Sequence, residues 1–582
     1  MGNIYTQHYM RGEVLDEKNK LIPNATIYMH SNKMQYSAGS SGSFGLMSSR
    51  VGVDTFTIIV DGYEKTVVPI FENKYNTIKI KLLASVAFMQ KPRLSTLVKD
   101  LKNDRQFNIF TNNESYSNLV ENEFIKATSY PTTGFAVNTD KASYSNIRRF
   151  INTKSKVPTN AVRINEMINY FNLAAPTVPP NQTFAIQSQL ASCPWNVAHQ
   201  LLFVNIAAKK IDLEKLPNSN LVFLVDNSGS MELQNRLPLL KAAFRLLVNN
   251  LRTKDTIAIV TYGGRVDVAL PPISGYYKDS ILKVIEAMDA TGDTPGESAI
   301  KIAYGIAKNK YTKTGNNRVI LATDGDFNVG IADEEELQKL ITIQSQTGIY
   351  LTCLGIGMGN YKDSKLEVLA KKGNGNFAYI DSETEAEKVL VKEMTQTLYS
   401  VADKTFMNIT FNPNLVSEYR LLGFDNKQNA LADTSSQIDG GEVGSGYSGI
   451  IVFEIEPSKN LVWDTIKNNT TQTIATLNIQ YIDPTNKANK NIAYTCSNNY
   501  KPNTTLPKQY LLASAIAMFG GYVKQSNYFK NVLLDDILKL AQPCTDATNS
   551  IQVEFLQLVE KAKKIYEPSS TKKRKGKAVK GE

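Results

Sequence analysis

Histidine, tryptophan and cysteine are scarce in this chain. Of 582 residues, three are histidine, two tryptophan and four cysteine. His8, His30 and His199 share no helical or hairpin spacing, so a histidine-ligated metal centre or a Ser-His-Asp triad has almost nothing to draw on. Cys193, Cys353, Cys496 and Cys544 are too scattered for a disulfide framework or a zinc cluster. Cys353 sits in an apolar run and reads as a small buried hydrophobe. Long apolar runs are missing as well. The longest, 510–523, is interrupted by Gly520-Gly521 and falls short of the ~18 residues a membrane-spanning helix needs. Those glycines read as close packing or a break. The first fourteen residues hold no apolar segment of the kind a secretory leader carries.

What is present is ordinary globular composition, 42% hydrophobic and 21% charged. At ~150 residues per domain, the length implies roughly four domains. The net charge of +10 raises nucleic acid or an anionic membrane as partners. Its distribution argues otherwise. Lys572, Lys573, Arg574, Lys575, Lys577 and Lys580 against Glu582 place +5 in residues 571–582, half of the total. No aromatic residues interleave with them, so 567–582 reads as a solvated, disordered tail and nucleic-acid binding is not expected.

Along the chain, residues 11–83 show short β-rich runs such as 25–29 and 55–60 between turn clusters, the pattern of a sandwich of about seven strands. Gly12-Glu13-Val14-Leu15-Asp16, the run 21–27, Gly42-Ser43-Phe44 and Gly62-Tyr63 resemble the carboxypeptidase regulatory-like domain. That resemblance implies a structural or docking module over 1–85 with no catalytic residues. Residues 86–116 are polar and read as a linker. Helical signals occupy 117–172, and strand-like alternation 183–212. From 219 to 402, fully apolar strands alternate with amphipathic helices, the last at 385–401. This is the rhythm of a doubly wound, mostly parallel sheet. Strand patterns return over 403–500, and 501–566 is helical. The architecture inferred is a Rossmann-like α/β domain inserted in a β-sandwich, whose strands at 183–212 and 405–495 pair with each other.

In an open α/β sheet, ligands bind at the carboxyl ends of the strands. Just past the strand 221–225 comes Asp226-Asn227-Ser228-Gly229-Ser230. Past 318–322 comes Thr323-Asp324-Gly325-Asp326. Between them in sequence lies Thr291-Gly292-Asp293-Thr294-Pro295-Gly296-Glu297. The three loops should share one sheet edge and offer hydroxyls and carboxylates. Such hard oxygen donors suit Mg²⁺ or Mn²⁺ rather than zinc. Asp293, Glu297 and Asp326 would add negative charge to the cup formed with Asp226 and Asp324.

Asp-x-Ser-x-Ser after a strand, a downstream loop threonine and Thr-Asp-Gly resemble the metal-ion-dependent adhesion site of von Willebrand factor A domains. Val319 to Gly330, Ala142 to Arg149, Cys193-Pro194-Trp195-Asn196 and Gly359 to Asp363 resemble the bacterial YfbK-type members of that family. The resemblance implies metal coordination by Ser228, Ser230 and Thr294, with Asp226 and Asp324 acting through waters or as alternating direct ligands. The ion implied is Mg²⁺, with Mn²⁺ or Ca²⁺ as substitutes. One position would stay open for a carboxylate from a partner protein, as in adhesion or assembly. Asn227, where the family usually has valine, points away from the metal. The second loop departs further, with Thr-Gly-Asp-Thr in place of Gly-Gly-Ser-Thr. The resemblance also implies the bacterial cell envelope. Two other readings remain: a structural scaffold of a larger assembly with an incidental metal, and, least favoured, a metal-assisted hydrolase using Asp293, Glu297 or Asp326 as base.

Overall fold

The computed structural model describes residues 8–39, 41–60, 63–81, 94–95, 109–111, 114–117, 119–136, 140–212, 216–233, 235–292, 296–313, 315–325, 334–357, 363–393, 396, 399–427, 441–459 and 472–567. The chain forms two compact units, 1–93 and 94–582.

The described residues of the first unit form a seven-strand sandwich. One sheet runs Ser43–Ser48, His8–Leu15, Tyr75–Lys79, and the other Met34–Ser37, Thr26–Met29, Val53–Ile59, Thr66–Phe71. Period-two alternation builds it. Met10, Val14, Ile27, Met29, Phe56, Ile58, Ile70 and Ile78 fill one core, while Tyr9, Val53 and Val67 point to solvent.

The second unit contains a larger sandwich. One sheet orders Ile125–Lys126, Val416–Leu421, Ser448–Pro457, Gln200–Ala208, Phe184–Ser192. The facing sheet orders Asn489–Ser497, Thr473–Ile482, Ser400–Phe411, Thr132–Ala136, Leu94–Ser95. Strand 200–208 pairs antiparallel with 448–457, from Gln200 opposite Ile455 to Ala207 opposite Ser448. The chain leaves this sandwich after Ala208 and returns at Ser400, so the α/β domain between is an insertion. Strand 200–208 is buried along its whole length because both its faces are covered, and it is apolar except for Gln200 and Asn205. Leu202, Val204 and Ile206 enter the sandwich core, and Leu201 and Phe203 face a helical layer.

That layer combines helices from both ends of the unit: Ala142–Asn152 and Ile164–Tyr170 with Lys508–Val523, Leu534–Ala541 and Ser550–Tyr566. The apolar run 510–523 is thus a helix enclosed on nearly every side. A side chain on Gly520 would meet Met167 Sδ at 2.9 Å, and one on Gly521 the Phe529 ring at 2.3 Å. Buried ions fasten the layer to the inserted domain. Arg148 reaches Asp381, Glu385 and the Tyr170 hydroxyl, and Arg163 reaches Glu166 and Asp363.

Among the described residues, the inserted domain has six strands: β1 (Ser219–Asp226), β2 (Thr256–Gly263), β3 (Arg265–Ser274), β4 (Asn316–Thr323), β5 (Ile349–Ile356) and β6 (Phe377–Ile380). Its helices are α1 (Leu237–Asn249), α2 (Lys278–Glu286), α3 (Gly296–Asn309), α4 (Glu334–Gln346) and α5 (Asp363–Lys372). The sheet order is β3-β2-β1-β4-β5-β6, parallel except for β3. The chain starts in the middle at β1, goes to one side with β2, then crosses to the other with β4. The crevice between the ends of β1 and β4 is therefore the switch point where such sheets bind ligands.

Three sequence expectations are revised. Strand β3, with Pro271 and Pro272, was not anticipated. It is an edge strand, where missing N–H donors are tolerated. The helix expected over 385–401 is the short segment Glu383–Glu387 followed by a π-turn at Lys388–Lys392, and Ser400 already begins a strand. Val401 and Ala402 are claimed by the sandwich core, which overrides local helical pattern. The region 86–116, expected as a linker, contributes its described residues to the second unit. Leu94–Ser95 pairs with Thr133–Gly134, and Glu114 is buried against Arg149 through two contacts of 2.7 Å.

Candidate metal centre

Strand β1 ends on Asp226, which is fully buried. Its register with β4 (Val225 opposite Ala322) brings Thr323 alongside. Thr323 Oγ1 donates to Asp226 Oδ2 at 2.8 Å, and the Ser228 N–H donates to Asp226 Oδ1 at 2.9 Å. Burial pushes the Asp226 carboxyl up to about 6, against the pull of these hydrogen bonds, and Asp324 adds to the rise. Asp324, itself buried, follows β4 directly. Two carboxylates thus sit on the floor of the crevice. Over them the chain turns through Gly229–Glu232, and the Ser228 and Ser230 hydroxyls lie 3.1 Å apart. Ser228 is buried, whereas Gly229, Ser230, Thr291 and Gly292 are exposed. The site therefore has a buried acidic floor and an open hydroxyl rim.

Glycines bring the loops together. Thr291 N–H donates to Asn227 O at 2.7 Å, and Gly229 N–H to Gly292 O at 3.0 Å. A side chain on Gly263 would strike Asn227 O and Thr291 O, both at 2.5 Å. Gly292 has φ +66°, and a Cβ there would lie 2.4 Å from Gly264 Cα. The second loop is thus placed beside the first up to Gly292. Thr294, Asp293 and Asp326 lie outside the described residues, as does the Glu297 side chain. Asn227 turns its amide away from the crevice and donates to Asp289 O at 3.0 Å.

One participant was not anticipated. Arg236, buried just before α1, donates from Nη1 to Asp324 Oδ2 and to Ser230 O, the latter at 2.7 Å. Nothing in its sequence context marks it, because its partner lies 88 positions away.

Among the described residues, no group of three or more His, Cys, Asp and Glu side chains converges as a metal cluster. The donor set fits a small hard cation: adjacent corners of an octahedron with ~2.0–2.1 Å metal–oxygen bonds lie about 2.9 Å apart, near the observed hydroxyl separation.

Three family models match the chain: von Willebrand factor over residues 110–203, von Willebrand factor type A domain over 221–326, and "Uncharacterized protein YfbK, C-terminal" over 396–565. The protein YfbK of Escherichia coli K12 is 35% identical over 472 residues, covering 77% of this chain and 80% of the relative. A magnesium-chelatase 67 kDa subunit of Chlorobaculum parvum is 28% identical over 188 residues, covering 29% of each chain. Among solved structures, a von Willebrand factor type A protein from Catenulispora acidiphila aligns over 65% of this chain and 91% of its own at 16% identity, with a TM-score of 0.38. Among the described residues, no helix is long and apolar enough to cross a membrane.

Proposed function

The chain belongs to the YfbK family of von Willebrand factor A proteins, and from that premise we propose that it is a metal-dependent protein-binding module. In this reading Ser228, Ser230 and Thr294 hold a Mg²⁺ ion, with Asp226 and Asp324 balancing its charge. The ion supplies a Lewis-acidic position that accepts an Asp or Glu side chain of a partner protein. The protein's own residues do the rest. Thr323 and the Ser228 amide orient Asp226, Arg236 orients Asp324, and the glycine contacts hold the rim open at Ser230 and Gly292. Because the direct donors are mainly neutral hydroxyls, much of the cation's charge remains for the partner.

The observation that carries this reading is the hydroxyl pair 3.1 Å apart above two buried carboxylates at the switch crevice. A binding role fits better than an enzymatic one. Ser228 and Ser230 hydrogen-bond to each other, and among the described residues no imidazole is bonded to either hydroxyl to activate a nucleophile. The amino-terminal sandwich is proposed as a second docking module, and a cell-envelope setting belongs to the same reading.

The test is partner capture by the full chain in Mg²⁺ and in EDTA. Capture should be lost in EDTA and in Asp226→Ala. Capture that persists in both would assign binding to other surfaces, as in a scaffold with an incidental metal.

A further inference from the structure

Arg236 puts a permanent positive charge inside a site read as a cation site. Its guanidinium is buried and bridges Asp324 Oδ2 to the Ser230 carbonyl, joining the third loop to the first. The surrounding fold makes room for it. Gly357, at φ +87° just past β5, faces the guanidinium. A Cβ there would lie 2.7 Å from Arg236 Nε and 2.8 Å from its Cγ. The Gly357 carbonyl is in turn held by the Tyr379 hydroxyl at 2.5 Å. The slot is therefore built from two loops and a glycine that no larger residue can replace without moving the arginine.

Two buried carboxylates at one crevice repel each other, and without a counter-charge the loops carrying them are destabilised. An arginine cannot shed its proton to relieve the site, so its charge is present under all conditions. Resting on the metal-site reading above, we infer that Arg236 is a resident counter-cation. It keeps the first and third loops joined when no divalent ion is bound, and it lowers the site's affinity for Mg²⁺ by occupying one Asp324 oxygen and opposing the incoming charge. A site so constructed binds metal reversibly and stays folded on losing it, unlike one whose carboxylates depend on the ion for neutralisation.

The experiment compares wild type, Arg236→Met, Arg236→Lys and Asp226→Ala, each as the full chain. Mg²⁺ affinity is read by calorimetry and thermal midpoint is read in EDTA and in Mg²⁺. A unit charge a few ångströms away at a partly screened site is expected to change affinity by about 10-fold or more. Arg236→Met should bind Mg²⁺ at least that much more tightly, melt earlier than wild type in EDTA, and recover in Mg²⁺. Arg236→Lys, which keeps the charge, should stay near wild type in affinity. If wild type binds Mg²⁺ but Arg236→Met binds it no more tightly, the inference is overturned and the metal-site reading stands. If wild type and Asp226→Ala respond alike to Mg²⁺, both fall. If Arg236→Met is unfolded with and without Mg²⁺, the arginine is a folding residue and the inference is again overturned.

Discussion

At the scale of single residues, the site depends on atoms that are absent as much as on those present. Gly263 is where β2 passes beneath the first and second loops, and its missing Cβ lets the Asn227 and Thr291 carbonyls approach. Gly263→Ala should therefore separate those loops and abolish Mg²⁺ uptake in calorimetry, while far-ultraviolet circular dichroism stays that of the wild type. Asp140 tests burial of a different kind. It accepts the Phe377 N–H at 2.9 Å, and desolvation, reinforced by Glu166, pushes its carboxyl up to about 7. Its folded pKa lies above the unfolded value of ~3.9, so the folded state holds the extra proton across this window. Its contribution is full below about pH 4 and is lost as pH rises through 7, at up to ~1.4 kcal/mol per unit. Asp140→Asn keeps an acceptor for Phe377. It should flatten the fall of thermal midpoint between pH 5 and 8 and leave the protein as stable as wild type, or more so, at pH 8. The strand-end loops themselves are legible in the sequence, because Asp226, Ser228, Ser230 and Asp324 follow recognisable strands at fixed spacing. Arg236 was not legible, since an arginine before a helix carries no local sign of a distant aspartate.

At the scale of elements, legibility followed burial. Strands β1, β2, β4 and β5 are covered on both faces and show as apolar runs, whereas β3 is half exposed at an edge and its pattern is broken by two prolines. The segment after Glu383 reads as helix by period, yet Tyr399 joins Ser219 through a 2.6 Å hydroxyl contact and Val401 enters the sandwich. Those contacts lie in another layer and leave no local trace. The helix Ala142–Asn152 shows the same dependence. Arg148 and Arg149, one after the other, reach different partners: Asp381 and Glu385 for the first, Glu114 for the second. Replacing such a pair with apolar residues can be neutral, but removing one partner strands a buried charge. Arg148→Ala should cost about 3–5 kcal/mol in denaturant unfolding, with Asp381 losing its guanidinium partner and Glu385 left to Lys388 and the Tyr170 hydroxyl. A cost below ~1 kcal/mol would show that the ionic joint is only a solvated contact.

At the scale of the molecule, the division after Arg93 predicts independence. The first unit has its own apolar core of Met10, Val14, Ile27, Phe56 and their neighbours. A chain of residues 94–582 should therefore fold with the thermal midpoint of the second unit unchanged, and should keep its Mg²⁺ response. A midpoint lowered by the truncation would contradict two separate cores. The net +10, half of it in the last twelve residues, says little about the folded body, which buries the pair Asp226 and Asp324 at the switch crevice. The most direct test of the whole account is calorimetric titration of Mg²⁺ into the full chain and into the double variant Ser228→Ala, Ser230→Ala. The account predicts one Mg²⁺ per wild-type chain and none for the double variant. No uptake by wild type, or uptake that survives loss of both hydroxyls, would contradict it.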